Sequence, residues 1–320
     1  MRKVRMIVGL VLAALVAACA AAPPSPALAS GACRLHRLAR LHVTLRNDLP
    51  IIAVRINGRV AHLMLDTGSG VTILTTGAAR RLDATLDFRH SYRVAAVGAT
   101  ADMTPARLQL VQLGGLILAD RKVAVGSFGF GSPALWPHGE PDGIAGADIL
   151  SAYDVDLNLP ARRLTLYRPT PCPTMTPPWC HPCNVLPVRR LADNRLVLGV
   201  RLDGRPLQAA LDTGSQLTTI TRQAALAVGV TPVSLRGDPS TLTHGTGQGS
   251  ARLYMQRFGA FTAAGETFRH RRIAVLDGGL PSSDMLLGID LLKTRRLWLS
   301  YATRQVFIAP TTPLRANAGR

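Results

Sequence analysis

The chain has 320 residues, room for two domains of ordinary size, and its 47% hydrophobic and 18% charged residues belong to a globular protein, not a disordered one. Its formal charge of +18 is carried by arginine, since lysine stands only at Lys3, Lys122 and Lys293. The arginines are scattered or paired, as at Arg80-Arg81 and Arg271-Arg272, with no basic block and no aromatic interleaving; the charge reads as solvated surface or as attraction to an anionic membrane, and nucleic acid is not an expected partner.

Arg2, Lys3 and Arg5 precede an uninterrupted run of small and apolar residues from Met6 to Ala18. This is the pattern of a secretory signal, and it is short for a bilayer span. The run ends Val16-Ala17-Ala18-Cys19, which resembles a bacterial lipobox. The resemblance implies lipidation at Cys19. It makes residues 1–19 the signal and predicts an exported, periplasmic chain held to a membrane by the lipid. Ala27-Leu28-Ala29 offers ordinary A-x-A cleavage as the alternative, farther from the apolar run. Residues 20–40 then form a tether.

A first lobe is expected over residues 41–168. Asn57-Gly58 between β-rich runs is a hairpin signal, and Asp66-Thr67-Gly68-Ser69 follows it. A β-branched run, Val71 to Thr75, leads to a helix-like stretch at Ala78-Ala79-Arg80-Arg81-Leu82. The lobe closes with Ile144-Ala145-Gly146-Ala147-Asp148-Ile149-Leu150 and apolar runs near Val155 and Leu164.

Residues 169–187 read as a linker. Seven of these nineteen residues are proline, which stiffens a chain and opposes regular sheet pairing, so the segment is expected to be the hinge between lobes. With Cys19 set aside, Cys33, Cys172, Cys180 and Cys183 suggest two disulfides in an exported chain. Cys33 lies just before the first strand and the linker just after the last. At least one bond from Cys33 to the linker is therefore expected; a neighbouring Cys180–Cys183 bond is possible but would close a very tight, strained ring. Within a proline-rich run, Cys180-His181-Pro182-Cys183 reads neither as a redox nor as a zinc motif.

A second lobe, residues 188–309, repeats the first, and residues 310–320 form a tail. Asp203-Gly204 stands where Asn57-Gly58 stood, Asp212-Thr213-Gly214-Ser215 repeats the tetrapeptide, and Leu286-Leu287-Gly288-Ile289-Asp290-Leu291-Leu292 repeats the closing stretch. Short β-branched strands punctuated by glycine, present twice, predict an all-β protein of two similar lobes related by a pseudo-twofold axis with a cleft between them.

A single Asp-Thr-Gly would read as a structural turn. Two of them on duplicated lobes can meet at one cleft. Paired carboxyls cannot both ionise cheaply, so they share a proton: the ionised one can take a proton from water while the protonated one donates to a carbonyl oxygen. Asp66 and Asp212 are thus the candidate catalytic residues, with no metal and no cofactor needed. Gly68 and Gly214 would allow the tight turn and a close approach to substrate.

These tetrapeptides, each followed by a hydrophobic-hydrophobic-glycine triplet, make residues 44–309 resemble the retropepsin-like aspartic peptidases, present here as two tandem copies in one chain. The resemblance implies paired β-barrel-like lobes, a polypeptide substrate and endopeptidase activity, with both half-sites on one monomer. Thr67 and Thr213 would bond across to the opposing turn, and Ser69 and Ser215 would bond their own lobe's carboxylate. Glycine-rich flaps are implied at Val97-Gly98-Ala99 and within Thr243 to Gly249, centred on Gly245, Thr246 and Gly247. His244 reads as an ordinary polar contact there. The alternatives on the same fold are a silent peptide-binding module and a structural envelope lipoprotein.

Overall fold

Period-two alternation sets the first strand. In β1 (Arg37–Arg46), Ala39, Leu41 and Val43 are buried while Arg40, His42 and Thr44 are exposed. The computed structural model describes residues 34–309 apart from 97–98, 129, 131–135, 138, 170–171, 173–174, 182 and 245–249. The first half continues through β2 (Leu49–Ile56), β3 (Arg59–Leu65), β4 (Ile73–Thr75), α1 (Thr76–Arg81), β5 (Thr85–Leu86), β6 (Tyr92–Ala96), β7 (Ala99–Leu113), β8 (Leu116–Gly126), β9 (Gly143–Ala145), α2 (Ala147–Leu150), β10 (Asp154–Asn158) and β11 (Arg163–Tyr167). The second half runs through β12 (Asn184–Pro187), β13 (Arg189–Arg190), β14 (Leu196–Leu202), β15 (Arg205–Leu211), β16 (Thr219–Thr221), α3 (Arg222–Ala227), α4 (Pro232–Gly237), β17 (Ser240–His244), β18 (Ser250–Arg257), β19 (Ala260–Ala263), β20 (Glu266–Arg269), β21 (Arg272–Leu276), β22 (Met285–Leu287), α5 (Ile289–Leu292), β23 (Arg296–Ser300) and β24 (Gln305–Ile308). Both halves belong to one compact unit that starts at Leu35.

The architecture is all-β and internally repeated. The strand order β2-β3-β9-β4-β8-β7 in one half recurs as β14-β15-β22-β16-β21-β18 in the other. The β2–β3 and β14–β15 hairpins turn at Asn57-Gly58 and Asp203-Gly204, all four residues at positive φ, as a two-residue turn demands. Thr75 and Thr221 end equivalent strands, and each hydroxyl caps the next helix by accepting the N–H of Ala78 or Ala224.

The halves are joined by a shared run of strands, β12-β24-β23-β10-β11-β1. Its central pair is β10 with β23, one strand from each half, in the register Asp156↔Trp298. One expectation is corrected here. The linker was expected to exclude sheet pairing, yet its last four residues form β12 and pair with β24. As the terminal strand of the run, β12 has a free side on which a proline N–H is not missed. The linker is also packed against the sheet. Met175, Trp179, Cys180 and Cys183 pack with Trp298 and Phe307 on the outer face of the shared sheet. Arg296 lies 4.9 Å over the Trp179 ring and forks onto buried Asp156 at 2.8 and 2.6 Å.

Candidate active site

Each aspartate follows the end of a strand, β3 at Leu65 and β15 at Leu211. The carboxylate then shapes its own turn. Gly68 and Ser69 donate their N–H groups to Asp66 Oδ1 at 2.8 and 3.0 Å; Gly214 and Ser215 do the same to Asp212 Oδ1 at 2.9 and 3.0 Å. The aspartate backbone is held from the closing strand, Asp66 N–H by Ala145 O and Asp212 N–H by Leu287 O, both at 3.0 Å.

The two turns lock together through their threonines. The Thr67 hydroxyl donates to Leu211 O at 2.7 Å and accepts the Thr213 N–H at 3.1 Å; the Thr213 hydroxyl donates to Leu65 O at 2.7 Å and accepts the Thr67 N–H at 3.1 Å. Both side chains are buried. The carbonyls immediately before the aspartates are thus held by the opposite half, which sets the carboxyls face to face. Gly68 passes over Asp212 and Gly214 over Asp66 so closely that a methyl group at either glycine would overlap the opposing carboxyl. Asp66 and Asp212 lie close enough for each carboxyl to shift the titration of the other.

Burial pushes Asp212 well above the ordinary carboxylate range, and the Asp66 charge and hydrogen bond push it further. Burial raises Asp66 too, but there the hydrogen bonds from Asp212 and the turn, with the positive charge of Arg195, oppose the rise. Both carboxyls are raised, so the pair holds one proton between them where free carboxyls would both be ionised.

The serines differ from what the resemblance implied. Their backbone N–H groups reach the carboxylate, but the Ser69 and Ser215 hydroxyls donate instead to Val71 O and Leu217 O at 2.8 and 2.9 Å. Two N–H groups already converge on each Oδ1, and the carbonyl two residues on lies within reach of the short side chain.

Beneath each turn lies a clasp that sequence reasoning did not assign. The Thr72 hydroxyl donates to Asp148 Oδ1 at 2.7 Å and accepts Gly146 N–H; the Thr218 hydroxyl donates to Asp290 Oδ1 at 2.8 Å and accepts Gly288 N–H. Asp290 also binds Arg271 at 2.8 Å. The signal was present in the repeat, because both members of each pair fall in the duplicated stretches. Gly146 and Gly288 lead into α2 and α5 against the backbone of Val71 and Leu217, where a methyl group would overlap.

Two hairpins stand about thirty residues after the aspartates, β6–β7, in which Ala96 pairs with Ala99, and β17–β18, in which His244 pairs with Ser250. Of the expected flap residues, Ala99 opens β7, while Val97, Gly98, Gly245, Thr246 and Gly247 lie outside the described residues, as do Cys19 and Cys33. Cys180 and Cys183 are bonded to each other with Cα atoms 4.9 Å apart, in a turn held by Cys180 N–H to Pro177 O. The tight Cys180–Cys183 ring that the sequence allowed is therefore formed. Cys172 is disulfide-bonded as well.

The sequence matches the family model described as gag-polyprotein putative aspartyl protease over residues 52–132 and again over 198–294, together more than half of the chain. Among solved structures, the fold is similar to that of an aspartic proteinase from Irpex lacteus, with a TM-score of 0.52 and 14% identity over 88% of this chain and 99% of that one. Basic 7S globulin from soybean aligns at 10% identity and a TM-score of 0.46, over 90% of this chain and 98% of that one. No curated protein matches the sequence.

Proposed function

Because the chain belongs to the gag-polyprotein putative aspartyl protease family, we propose that it is an endopeptidase that cleaves polypeptides with Asp66 and Asp212. The observation that carries this reading is the pair of facing carboxyls, Asp212 buried and Asp66 half-buried, each overlain by the opposing glycine and held by the threonine lock, the arrangement for which aspartic proteases are the standard example. The ionised member of the pair takes a proton from a water molecule as the water oxygen attacks the scissile carbonyl carbon. The protonated member gives its proton to the carbonyl oxygen. The tetrahedral species collapses as the first carboxyl passes the proton it took to the departing nitrogen and the second recovers its own, leaving an acid and an amine. The threonine lock keeps the two carboxyls in register through the cycle.

The signal-like N-terminus and Val16-Ala17-Ala18-Cys19 support export and a lipid anchor on Cys19, so the substrates proposed are exported or envelope polypeptides, met by a monomer that carries both half-sites. A peptide-library digest with the purified mature chain tests the activity. Internal cleavage blocked by a statine-type inhibitor and insensitive to chelators is expected. Intact peptides in the presence of a folded chain would favour the silent binding module.

A further inference from the structure

The shared sheet has an outer face, and cross-strand pairing orders its side chains. His42 pairs with Arg163, Arg163 with Asn158, and Asn158 with Arg296. The next row is Arg40, Thr165, Asp156 and Trp298, and Arg37 lies opposite Tyr167. Directly paired residues share a face. The opposite face carries Leu41, Val43, Val155, Leu157 and Leu164, which join the main core with Leu65 and Leu211, the residues before the two aspartates. The outer face is therefore turned away from the dyad.

Among the described residues, the linker covers the middle of this face and leaves its edge at β1 exposed. Arg37, Arg40 and His42 are exposed there, with Arg163 half-buried and Arg162 and Arg168 exposed beside it. The carboxylates on these strands, Asp154 and Asp156, are buried, and Asp156 is taken by Arg296. Among the described residues, Arg37, Arg40, Arg162, Arg163 and Arg168 make no ion pair, whereas Arg59, Arg81, Arg93 and Arg107 each meet a carboxylate. Like charges gathered on one face repel until a counter-surface neutralises them.

We propose that this arginine edge is a docking surface for anionic phospholipid headgroups. Leu35 packs on the same outer face, so the chain leading back to Cys19 joins the folded body there. A lipid anchor at Cys19 would raise the effective concentration of this edge at a bilayer; that gain rests on the lipid-anchor reading, whereas the charge recognition does not. The interaction is electrostatic, so salt screens it.

The test uses the full exported chain with Cys19→Ser, which removes the lipid, sedimented with vesicles of phosphatidylglycerol and phosphatidylcholine or of phosphatidylcholine alone. Partitioning onto the anionic vesicles is expected to be at least about tenfold stronger and to vanish near about 0.5 M sodium chloride. Arg37→Glu/Arg40→Glu/Arg163→Glu should lower it by at least about tenfold, and the milder Arg37→Gln/Arg40→Gln/Arg163→Gln set should lower it too. Arg55→Glu/Arg201→Glu/Arg205→Glu, an equal change of charge at the two hairpin turns, should lower it by less than about threefold. Equal losses in the two glutamate sets, no preference for anionic vesicles, or binding to soluble polyglutamate but not to vesicles would overturn the proposal. Labelled fatty-acid incorporation, lost in Cys19→Ala, tests the anchor separately. Its failure with vesicle binding intact would remove the tethering gain and leave the docking surface.

Discussion

At the residue scale, the dyad is set by opposing environments on two identical side chains, and its pH behaviour follows. Asp212 is raised well above its ordinary value, chiefly by burial, so the singly protonated pair persists at pH values where a free carboxyl is already ionised. The rate constant kcat/KM should fall as pH rises and the pair loses its shared proton, and fall again in acid as the pair takes a second one. Stability moves with the same sign. A carboxyl with a raised folded pKa contributes stability that is complete below the unfolded value and is lost as pH rises through the folded one. Asp212→Asn should therefore be at least as stable as the natural chain at neutral pH, and its Tm should vary less between the ordinary carboxylate range and neutrality. A Tm below that of the natural chain at pH 7 would contradict the buried, costly carboxylate. The lock gives a second prediction. Thr67→Val removes a donor to Leu211 O and an acceptor for Thr213 N–H, both buried, and should cost about 2–4 kcal/mol in urea unfolding. Thr67→Ser should restore most of it.

At the element scale, the closing strands carry the aspartates' backbone and the glycines that clear their turns. Gly288→Ala would drive a methyl group into Leu217 and Thr218 backbone; it is expected to cost about 1–3 kcal/mol and to lower kcat more than it raises KM. An unchanged kcat would separate this strand from the dyad's geometry. The repeat made much of this level legible in advance, because Asn57-Gly58 and Asp203-Gly204 specify their turns locally and the paired tetrapeptides carry their own hydrogen-bonding logic. What escaped depended on partners distant in sequence. The Thr72–Asp148 and Thr218–Asp290 clasps join residues more than seventy positions apart. The serine hydroxyls chose a carbonyl over a carboxylate for reasons of reach. In the linker, proline content argued against a strand, but Asn184–Pro187 found an edge position where the missing N–H costs nothing.

At the scale of the whole molecule, the shared sheet couples the two halves. Strands from both lie in the run β12-β24-β23-β10-β11-β1, so unfolding should be one cooperative transition by tryptophan fluorescence and by far-ultraviolet circular dichroism; two resolved transitions would mean that the halves are separable. Asp156 is 2% exposed, with Arg296 from the other half forked onto it. Arg296→Ala should cost about 3–5 kcal/mol by leaving a buried charge alone, whereas Asp156→Leu/Arg296→Met should cost far less. Both effects act on the platform that holds the aspartates face to face, and the central claim is that these two carboxyls work as one group. The most direct test is peptide turnover by Asp66→Asn and by Asp212→Asn, each beside the natural chain and each shown to be folded. Each substitution alone is expected to lower kcat by at least about 10³-fold, with the double variant little worse than either single one. Near-native turnover by either single variant would contradict the shared-proton dyad.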